Sequence, residues 1–150
     1  MDYKKLFPIF ETHKELAYLD SAATNQKPEK VIKAIDEYNR KFNASPNRGS
    51  YGISVEATCQ YNQAKGKVAK FIGAKNTEII FVKSSTEGLN LLANSFSYEL
   101  TKEDNILVGI TSHHSNIVPW QEVKRRTGAE LRYIYLDKNG EFDYSDLESK

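Results

Sequence analysis

Three consecutive hydroxyl side chains, Ser84, Ser85 and Thr86, follow a short apolar segment and precede a helical pattern. At the start of a helix, the first backbone N–H groups lack partners within the helix, and the helix dipole favours negative charge there. Hydroxyls and free N–H groups together suit the oxygens of a phosphate group. The alternative interpretation is that these residues only cap the helix, as Ser and Thr often do.

Two adjacent histidines, His113 and His114, stand in a second polar loop that runs from Thr111 to Asn116. A neutral imidazole can stack on a flat heteroaromatic ring, move a proton near pH 7 or bind a metal. Adjacent side chains diverge, and no Cys or carboxylate stands beside them at metal-ligand spacing, so we predict no metal site. The alternative is that one histidine forms a loop hydrogen bond while the other faces solvent, and we favour this interpretation for His114.

Three further residues have reactive or recognisable side chains. Arg48 lies in a turn-rich loop beside Gly49, where its planar guanidinium could bind a carboxylate or phosphate, although a solvated surface Arg fits equally well. Cys59 falls inside a helical pattern without an activating neighbour, so we expect a structural role. Trp120 follows a proline in the first turn of another helical pattern, where buried packing is the ordinary role.

The helix and strand patterns place both polar loops at one edge of a predicted sheet. Three short apolar segments alternate with helical patterns and are predicted as strands, at Glu78–Val82, Asn105–Ile110 and Leu131–Leu136. Such alternation is typical of the α/β class, in which helical crossovers join strands into a mainly parallel sheet flanked by helices. Ligands bind beyond the carboxyl ends of such strands. We therefore expect Ser85, Thr86 and His113 to converge on one pocket.

Two helices are predicted before the first strand. The first runs from about Pro28 to Phe42, and Pro28 suits its first turn because the missing N–H would have no acceptor there. The second is predicted to begin at an N-cap, Ser54, and to end before Gly73.

Two helices are also predicted among the strands, and one after them. The first is predicted to begin at Ser84-x-x-Glu87, which has the spacing of a capping box. The second spans about Asn116 to Thr127 and is ended by Gly128. Asp143 or Ser145 could cap another helix close to residue 150. Because only its first turns would fit, we expect residues 1–150 to be the N-terminal portion of a longer protein.

Composition excludes several classes of protein. The chain has 150 residues, with 21 Lys and Arg against 20 Asp and Glu in interleaved order. This balance gives no concentrated positive charge that would attract nucleic acid or an acidic partner. Its apolar runs are far shorter than the roughly 20 residues that span a bilayer, and its N-terminus lacks a secretory pattern. The single cysteine forms no disulfide framework. We expect a cytoplasmic protein with no membrane or nucleic-acid partner.

Four segments, taken in order, resemble the group II cysteine desulfurases and selenocysteine lyases of the class V aminotransferase group, which have fold type I. They are YLDSAA (Tyr18–Ala23), Arg48-Gly49, FVKSSTEGLN (Phe81–Asn90) and HHSNIVPWQ (His113–Gln121). The resemblance runs over nearly all of the chain and implies the N-terminal part of the large domain. The rest of that domain and the small C-terminal domain would lie beyond residue 150.

The resemblance implies a role for each matched residue. Ser85 and Thr86 take the positions that hold the phosphate of pyridoxal 5'-phosphate, and His113 takes that of the histidine that stacks on the pyridine ring and assists proton transfer. Arg48 matches an arginine near the substrate entrance, and Ala23 belongs to a loop that lines the substrate side. The sequence departs from many relatives at Asn47, where they carry histidine, and at Ser84-Ser85, where glycine followed by threonine is common.

The implied activity is removal of sulfur from L-cysteine, which gives L-alanine and an enzyme persulfide for a sulfur-acceptor protein, in a homodimer. In the family, the lysine that attaches the cofactor, the acid that pairs with the pyridine nitrogen and the sulfur-accepting cysteine all lie beyond residue 150. We therefore expect residues 1–150 alone to be inactive. Selenocysteine lyase or another class V activity is the nearest alternative, and a short non-catalytic protein that binds a phosphate-bearing ligand is a third.

Overall fold

The computed structural model describes residues 2–149, which divide into two compact units between Ile79 and Ile80. The α-helices assigned in these residues are α1 (Ile9–Thr12), α2 (Glu29–Lys41), α3 (Gly52–Ile72), α4 (Ser85–Phe96) and α5 (Val118–Thr127). The strands are β1 (Asn105–Gly109) and β2 (Glu130–Ile134). Short 3-10 turns lie at Tyr3–Leu6, Asn76–Glu78, His114–Asn116 and Leu147–Ser149. No helix in the described part of the chain is long and apolar enough to cross a membrane.

The first unit is helical, and both of its long helices were predicted. Helix α2 follows Pro28, which serves as its N-cap, and its ends differ from the prediction by one residue each. Helix α3 ends at Gly73, whose φ of 73° lies in the left-handed region that glycine adopts without steric cost.

The predicted cap of α3 is wrong. The helix begins at Gly52 after Tyr51, so Ser54 lies inside it and is fully buried. The Ser54 hydroxyl donates to the carbonyl oxygen of Ser45 at 2.9 Å. A buried hydroxyl needs a partner, and this one is satisfied by the preceding loop instead of by the first turn of its own helix.

The second unit has a parallel β-α-β arrangement, as predicted. Strands β1 and β2 pair in parallel, with Asn105 opposite Glu130 and Gly109 opposite Ile134, and α5 lies in the crossover between them. Its buried apolar residues come from both helices, both strands and the approach to β2, namely Ala93, Val108, Val123, Ala129 and Leu131. Helix α5 ends at Gly128, whose φ is 80°. These residues confirm the α/β class and the alternation of helices and strands.

The predicted strand Glu78–Val82 is not assigned as one. Glu78 closes a 3-10 turn, and residues 79–84 are irregular. Ile79 has extended backbone angles and is 6% exposed, whereas Ile80 is 72% exposed. A strand requires hydrogen bonds to a neighbour, and in residues 2–149 the sheet consists of β1 paired with β2. The apolar run therefore did not predict a paired strand in the described residues.

The last helix predicted from the sequence is a short turn within the described residues. A 3-10 turn spans Leu147–Ser149, and the carboxylate of Asp143 accepts a hydrogen bond from the backbone N–H of Ser145 at 2.9 Å. This bond closes a turn at Ser145, two residues before the 3-10 turn begins, so it does not show Asp143 as the cap of a helix.

Candidate active site

The start of α4 is capped by Ser84. Its hydroxyl accepts a hydrogen bond from the backbone N–H of Glu87 at 3.2 Å, as the capping-box spacing predicted. The Glu87 carboxylate reaches back to the backbone N–H of Lys83, one residue before the position that a standard capping box uses. Ser84 and Glu87 therefore cap the start of α4.

Ser85 and Thr86 occupy the first two positions of α4 and are exposed. The first bond of the helix ladder is from Gly88 N–H to the Ser84 carbonyl at 3.1 Å, so the N–H groups of Ser85 and Thr86 precede it. Within residues 2–149 neither these N–H groups nor the two hydroxyls have a hydrogen-bond partner. Four donors therefore lie in the first turn of a 12-residue helix, at its positive end, which suits a phosphate.

His113 lies just before the 3-10 turn His114–Asn116 and is exposed. Its ring atom Nδ1 lies 2.8 Å from the Ser115 hydroxyl and accepts from the Ser115 backbone N–H at 3.2 Å. The imidazole thus caps this turn as a Ser or Asp oxygen caps a helix. The contact fixes one ring nitrogen and leaves Nε2 available.

The ring of His114 lies over that of His113, with 4.0 Å between the ring centroids and 31° between the planes. His114 is exposed, in line with the interpretation favoured for it, but sequence reasoning missed this ring contact. Adjacent side chains usually diverge; here the tight turn brings the two rings together. One face of the His113 ring is therefore covered by His114.

Helices α4 and α5 lie side by side and run in the same direction. Arg126 near the end of α5 donates from Nη1 to Asn94 Oδ1 in α4 at 3.1 Å, and a groove between the helices is lined by Asn90 and Pro119 nearer their starts. The turn His114–Asn116 also contacts α4. These contacts indicate that the two helix N-termini lie at the same end of the second unit, with Ser85 and Thr86 in the first turn of α4 and His113 just before the turn that leads to α5. A shared pocket for these three residues stays a prediction.

The carboxylates with shifted pKa values lie in structural contacts. Hydrogen bonds from Arg125 lower the pKa of Glu122 in α5, and hydrogen bonds from the backbone and side chain of Thr101 lower the pKa of Asp104 before β1. Both carboxyl groups are exposed, so these contacts add little to stability. Their lowered pKa values suit ion pairing and turn formation, and neither group is poised as a proton donor.

The other residues singled out in the sequence take ordinary positions. Trp120 is half-buried, and its ring N–H points to Asn116 Oδ1 at 3.3 Å. Cys59 is exposed on α3, and its sulfur accepts from Gln63 Nε2 at 3.3 Å. In residues 2–149 no cluster of three His, Cys, Asp or Glu side chains is arranged to hold a metal ion.

The substrate-side candidates lie in the first unit. Ala23 is exposed in a turn closed by its own N–H, which donates to the Asp20 carbonyl at 3.2 Å. The hydroxyl of Tyr18 donates to the Thr24 carbonyl at 2.5 Å, and this bond ties the two ends of the turn together. The small side chain of Ala23 thus lies at the closing end of a turn that these hydrogen bonds hold.

The loop that carries Arg48 is anchored to α3. Asn47 has a left-handed φ of 60°, and its backbone N–H donates to the Thr58 hydroxyl at 2.8 Å. The buried Ser54 hydroxyl donates to the carbonyl of Ser45, two residues before Asn47. Arg48 itself is exposed and forms no ion pair with the residues that the structure describes. Sequence reasoning did not identify Ser54 and Thr58 as the residues that hold this loop. A hydroxyl inside a helical pattern does not show which loop residue it bonds to.

We expect Gly49→Ala to loosen this loop. A Cβ at position 49 would lie 2.8 Å from the Ser54 hydroxyl, a buried group that cannot swing away. The predicted cost is about 1–3 kcal/mol in the free energy of unfolding, measured by urea denaturation. Gly52→Ala is the matched control, because a Cβ there meets nothing within 4 Å. Equal unfolding free energies for the two variants would contradict the packing of Gly49 on α3.

Comparisons with known proteins identify relatives along the whole chain. A family model described as Aminotransferase class-V matches residues 17–150. A probable cysteine desulfurase of Halalkalibacterium halodurans is 43% identical over 98% of this chain and 37% of its own length. A probable cysteine desulfurase of Streptomyces coelicolor is also 43% identical, over 97% of this chain and 37% of its own length. The chain thus spans little more than a third of these curated relatives.

Solved structures agree with the sequence relatives. The apo structure of cysteine desulfurase from Thermococcus onnurineus NA1 superposes with a TM-score of 0.89 at 38% identity, over 99% of this chain and 36% of that one. A cysteine desulfurase from Escherichia coli superposes with a TM-score of 0.80 at 30% identity, over 98% of this chain and 37% of that one. The fold described above is therefore that of the corresponding third of these enzymes.

Proposed function

This chain belongs to the aminotransferase class-V family, and from that premise we propose that it forms the N-terminal part of a pyridoxal-phosphate-dependent cysteine desulfurase. The names of its curated relatives and solved neighbours support this activity. The observation that carries the proposal is the first turn of α4, where Ser85 and Thr86 offer four donors that have no partner in the described part of the chain. A cytoplasmic location and a homodimeric whole protein belong to the same proposal.

The donor set fits the cofactor. Pyridoxal phosphate, when bound, supplies an electron sink for bond breaking at the α-carbon of an amino acid. Ser85 and Thr86 would hold its phosphate with hydroxyls and backbone N–H groups, and a charged acceptor makes such hydrogen bonds stronger than neutral ones. His113 would place its uncovered ring face against the pyridine ring, held in orientation by Ser115 on one side and His114 on the other.

The resemblance implies substrate roles for Arg48, Ala23 and His113. Arg48 would attract the α-carboxylate of the amino acid with its planar guanidinium, which carries no competing ion pair within the described residues. The small side chain of Ala23 would leave room on the substrate side. His113 Nε2, the ring nitrogen that Ser115 does not occupy, would assist proton transfer at the reacting amino acid.

The overall reaction would convert L-cysteine and an enzyme thiol into L-alanine and an enzyme persulfide, which passes its sulfur to an acceptor protein. By resemblance to the family, the thiol and the lysine that attaches the cofactor would come from the part of the protein that follows residue 150. The described residues would therefore contribute phosphate binding, ring stacking and proton transfer, but not sulfur transfer.

The direct test is an assay of the full-length protein that contains this chain. With bound cofactor, L-cysteine and a thiol reductant, we expect sulfide and L-alanine in equal amounts. His113→Ala should lower kcat by about 100-fold or more, the scale of a lost general acid or base. His13→Ala, an exposed histidine outside the site, is the matched control. Preferential release of selenide from L-selenocysteine would assign the protein to the lyases, and no release from either amino acid would refute the proposal.

A further inference from the structure

The contact between His113 and Ser115 determines which ring nitrogen carries the proton. A backbone N–H is a donor only, and the N–H of Ser115 points at Nδ1 from 3.2 Å. A protonated Nδ1 would set two donors against each other, so Nδ1 must be an acceptor. The Ser115 hydroxyl, 2.8 Å from the same nitrogen, can then donate to it as well. A neutral ring therefore carries its proton on Nε2.

We propose that Ser115 is a positioning residue that holds His113 in the Nε2–H tautomer and in one orientation. The inference deepens the proposed function, because it rests on His113 as the ring that stacks and assists proton transfer there. In this tautomer the edge of the ring away from Ser115 is a hydrogen-bond donor. The neutral ring can donate a hydrogen bond from Nε2 to a reacting atom and so stabilise charge there, while it keeps its own proton and its Ser115 contact.

The backbone makes this arrangement rigid. The turn that follows His113 is closed by hydrogen bonds from Asn116 N–H to the His113 carbonyl at 2.8 Å and from Ile117 N–H to the His114 carbonyl at 3.1 Å. These bonds fix Ser115 N–H relative to the His113 backbone. The ring of His114, 4.0 Å from that of His113, limits rotation of the imidazole on its covered face. A 180° flip of the ring would put a carbon in the place of Nδ1 and so lose both Ser115 bonds.

The tautomer can be read directly from a proton–nitrogen correlation spectrum of the histidine rings. We propose the full-length protein, labelled at histidine nitrogen, at a pH well above the ordinary pKa of histidine, with His113→Gln identifying the signal. The expected spectrum shows a protonated Nε2 and an unprotonated Nδ1 for His113. A protonated Nδ1, or averaging of the two tautomers, would overturn the inference without any variant.

Variants of Ser115 test the cause. Ser115→Ala removes the hydroxyl and leaves only the longer N–H bond, so we expect tautomer averaging and a kcat lower by about 2- to 10-fold, the scale of one neutral hydrogen bond, with KM unchanged. Ser115→Thr keeps the hydroxyl, so it should keep the single tautomer and the kcat of the parent protein. Ser112→Ala, in the same loop, should leave the His113 signals unchanged. If Ser115→Ala left both the spectrum and kcat as in the parent, Ser115 would have no positioning role.

These readouts separate the inference from the proposed function. An inactive protein with the Nε2–H tautomer would refute the desulfurase proposal and support the role of Ser115 in holding the ring. An active desulfurase with averaged His113 tautomers would support the desulfurase proposal and refute the role of Ser115 in holding the ring.

Discussion

A purified polypeptide of residues 1–150, supplied with pyridoxal phosphate and L-cysteine, is expected to release no more sulfide or alanine than the free cofactor does. Free pyridoxal phosphate already reacts with amino acids in solution, so the protein must contribute a preorganised set of groups to exceed that background. By resemblance, the lysine, the acid and the sulfur-accepting cysteine of that set belong to the remaining length of the relatives, of which this chain spans 37%.

The measurement compares sulfide release by the 150-residue polypeptide, verified by mass, with release by the full-length protein under the same conditions. Exposed apolar side chains, among them Phe71 at 90% and Ile80 at 72%, favour association of the isolated polypeptide, so its state should be checked by light scattering. Turnover by the short polypeptide that disappeared in His113→Ala would show that the catalytic groups lie within these residues.

The second large effect is expected at the start of α4. In the full-length protein, Ser85→Ala and Thr86→Val should each weaken binding of pyridoxal phosphate by about 10- to 100-fold, because a hydrogen bond to a charged group contributes about 1.5–3 kcal/mol. Both hydroxyls are without protein partners in the described residues, so their removal should change unfolding free energy little. Equilibrium dialysis of the cofactor measures the effect.

Ser84→Ala is the control that separates binding from capping. It removes the acceptor for the Glu87 N–H, so it should lower the free energy of unfolding by about 0.5–2 kcal/mol and affect cofactor affinity less than the other two variants. If instead Ser84→Ala caused the largest loss of affinity, and the variants of Ser85 and Thr86 caused none, the hydroxyls of Ser85 and Thr86 would have no role in binding the cofactor.

Local chemistry explains the parts of the fold that the sequence predicted. Gly73 and Gly128 end their helices because only glycine reaches a positive φ there without steric cost, and this property belongs to the residue itself. Ser84 and Glu87 are recognisable for the same reason, since both members of the cap lie within four residues. The parallel pairing of β1 and β2 follows from the helix between them.

The features that sequence reasoning missed depend on partners elsewhere in the chain. Residues 79–82 have the apolar character of a strand, but a strand also needs a neighbouring strand with which to form hydrogen bonds. The composition of a segment does not show whether such a neighbour is present. Ser54 has the chemistry of a cap, yet its hydroxyl is committed to a carbonyl nine residues earlier. The contacts of His113 with His114 and Ser115 arise from the geometry of one tight turn, which no periodicity reveals.

The parallel course of α4 and α5 has an electrostatic consequence for ligand capture. Each helix carries roughly half a positive charge at its N-terminus, and the two ends lie on the same side of the second unit. A chain whose formal net charge is only +1 would thus concentrate positive potential where an anion should arrive. Such focusing speeds the encounter with anionic molecules and weakens as salt screens it over about 8–10 Å, so the association rate of a phosphorylated ligand should fall with ionic strength faster than its dissociation rate rises.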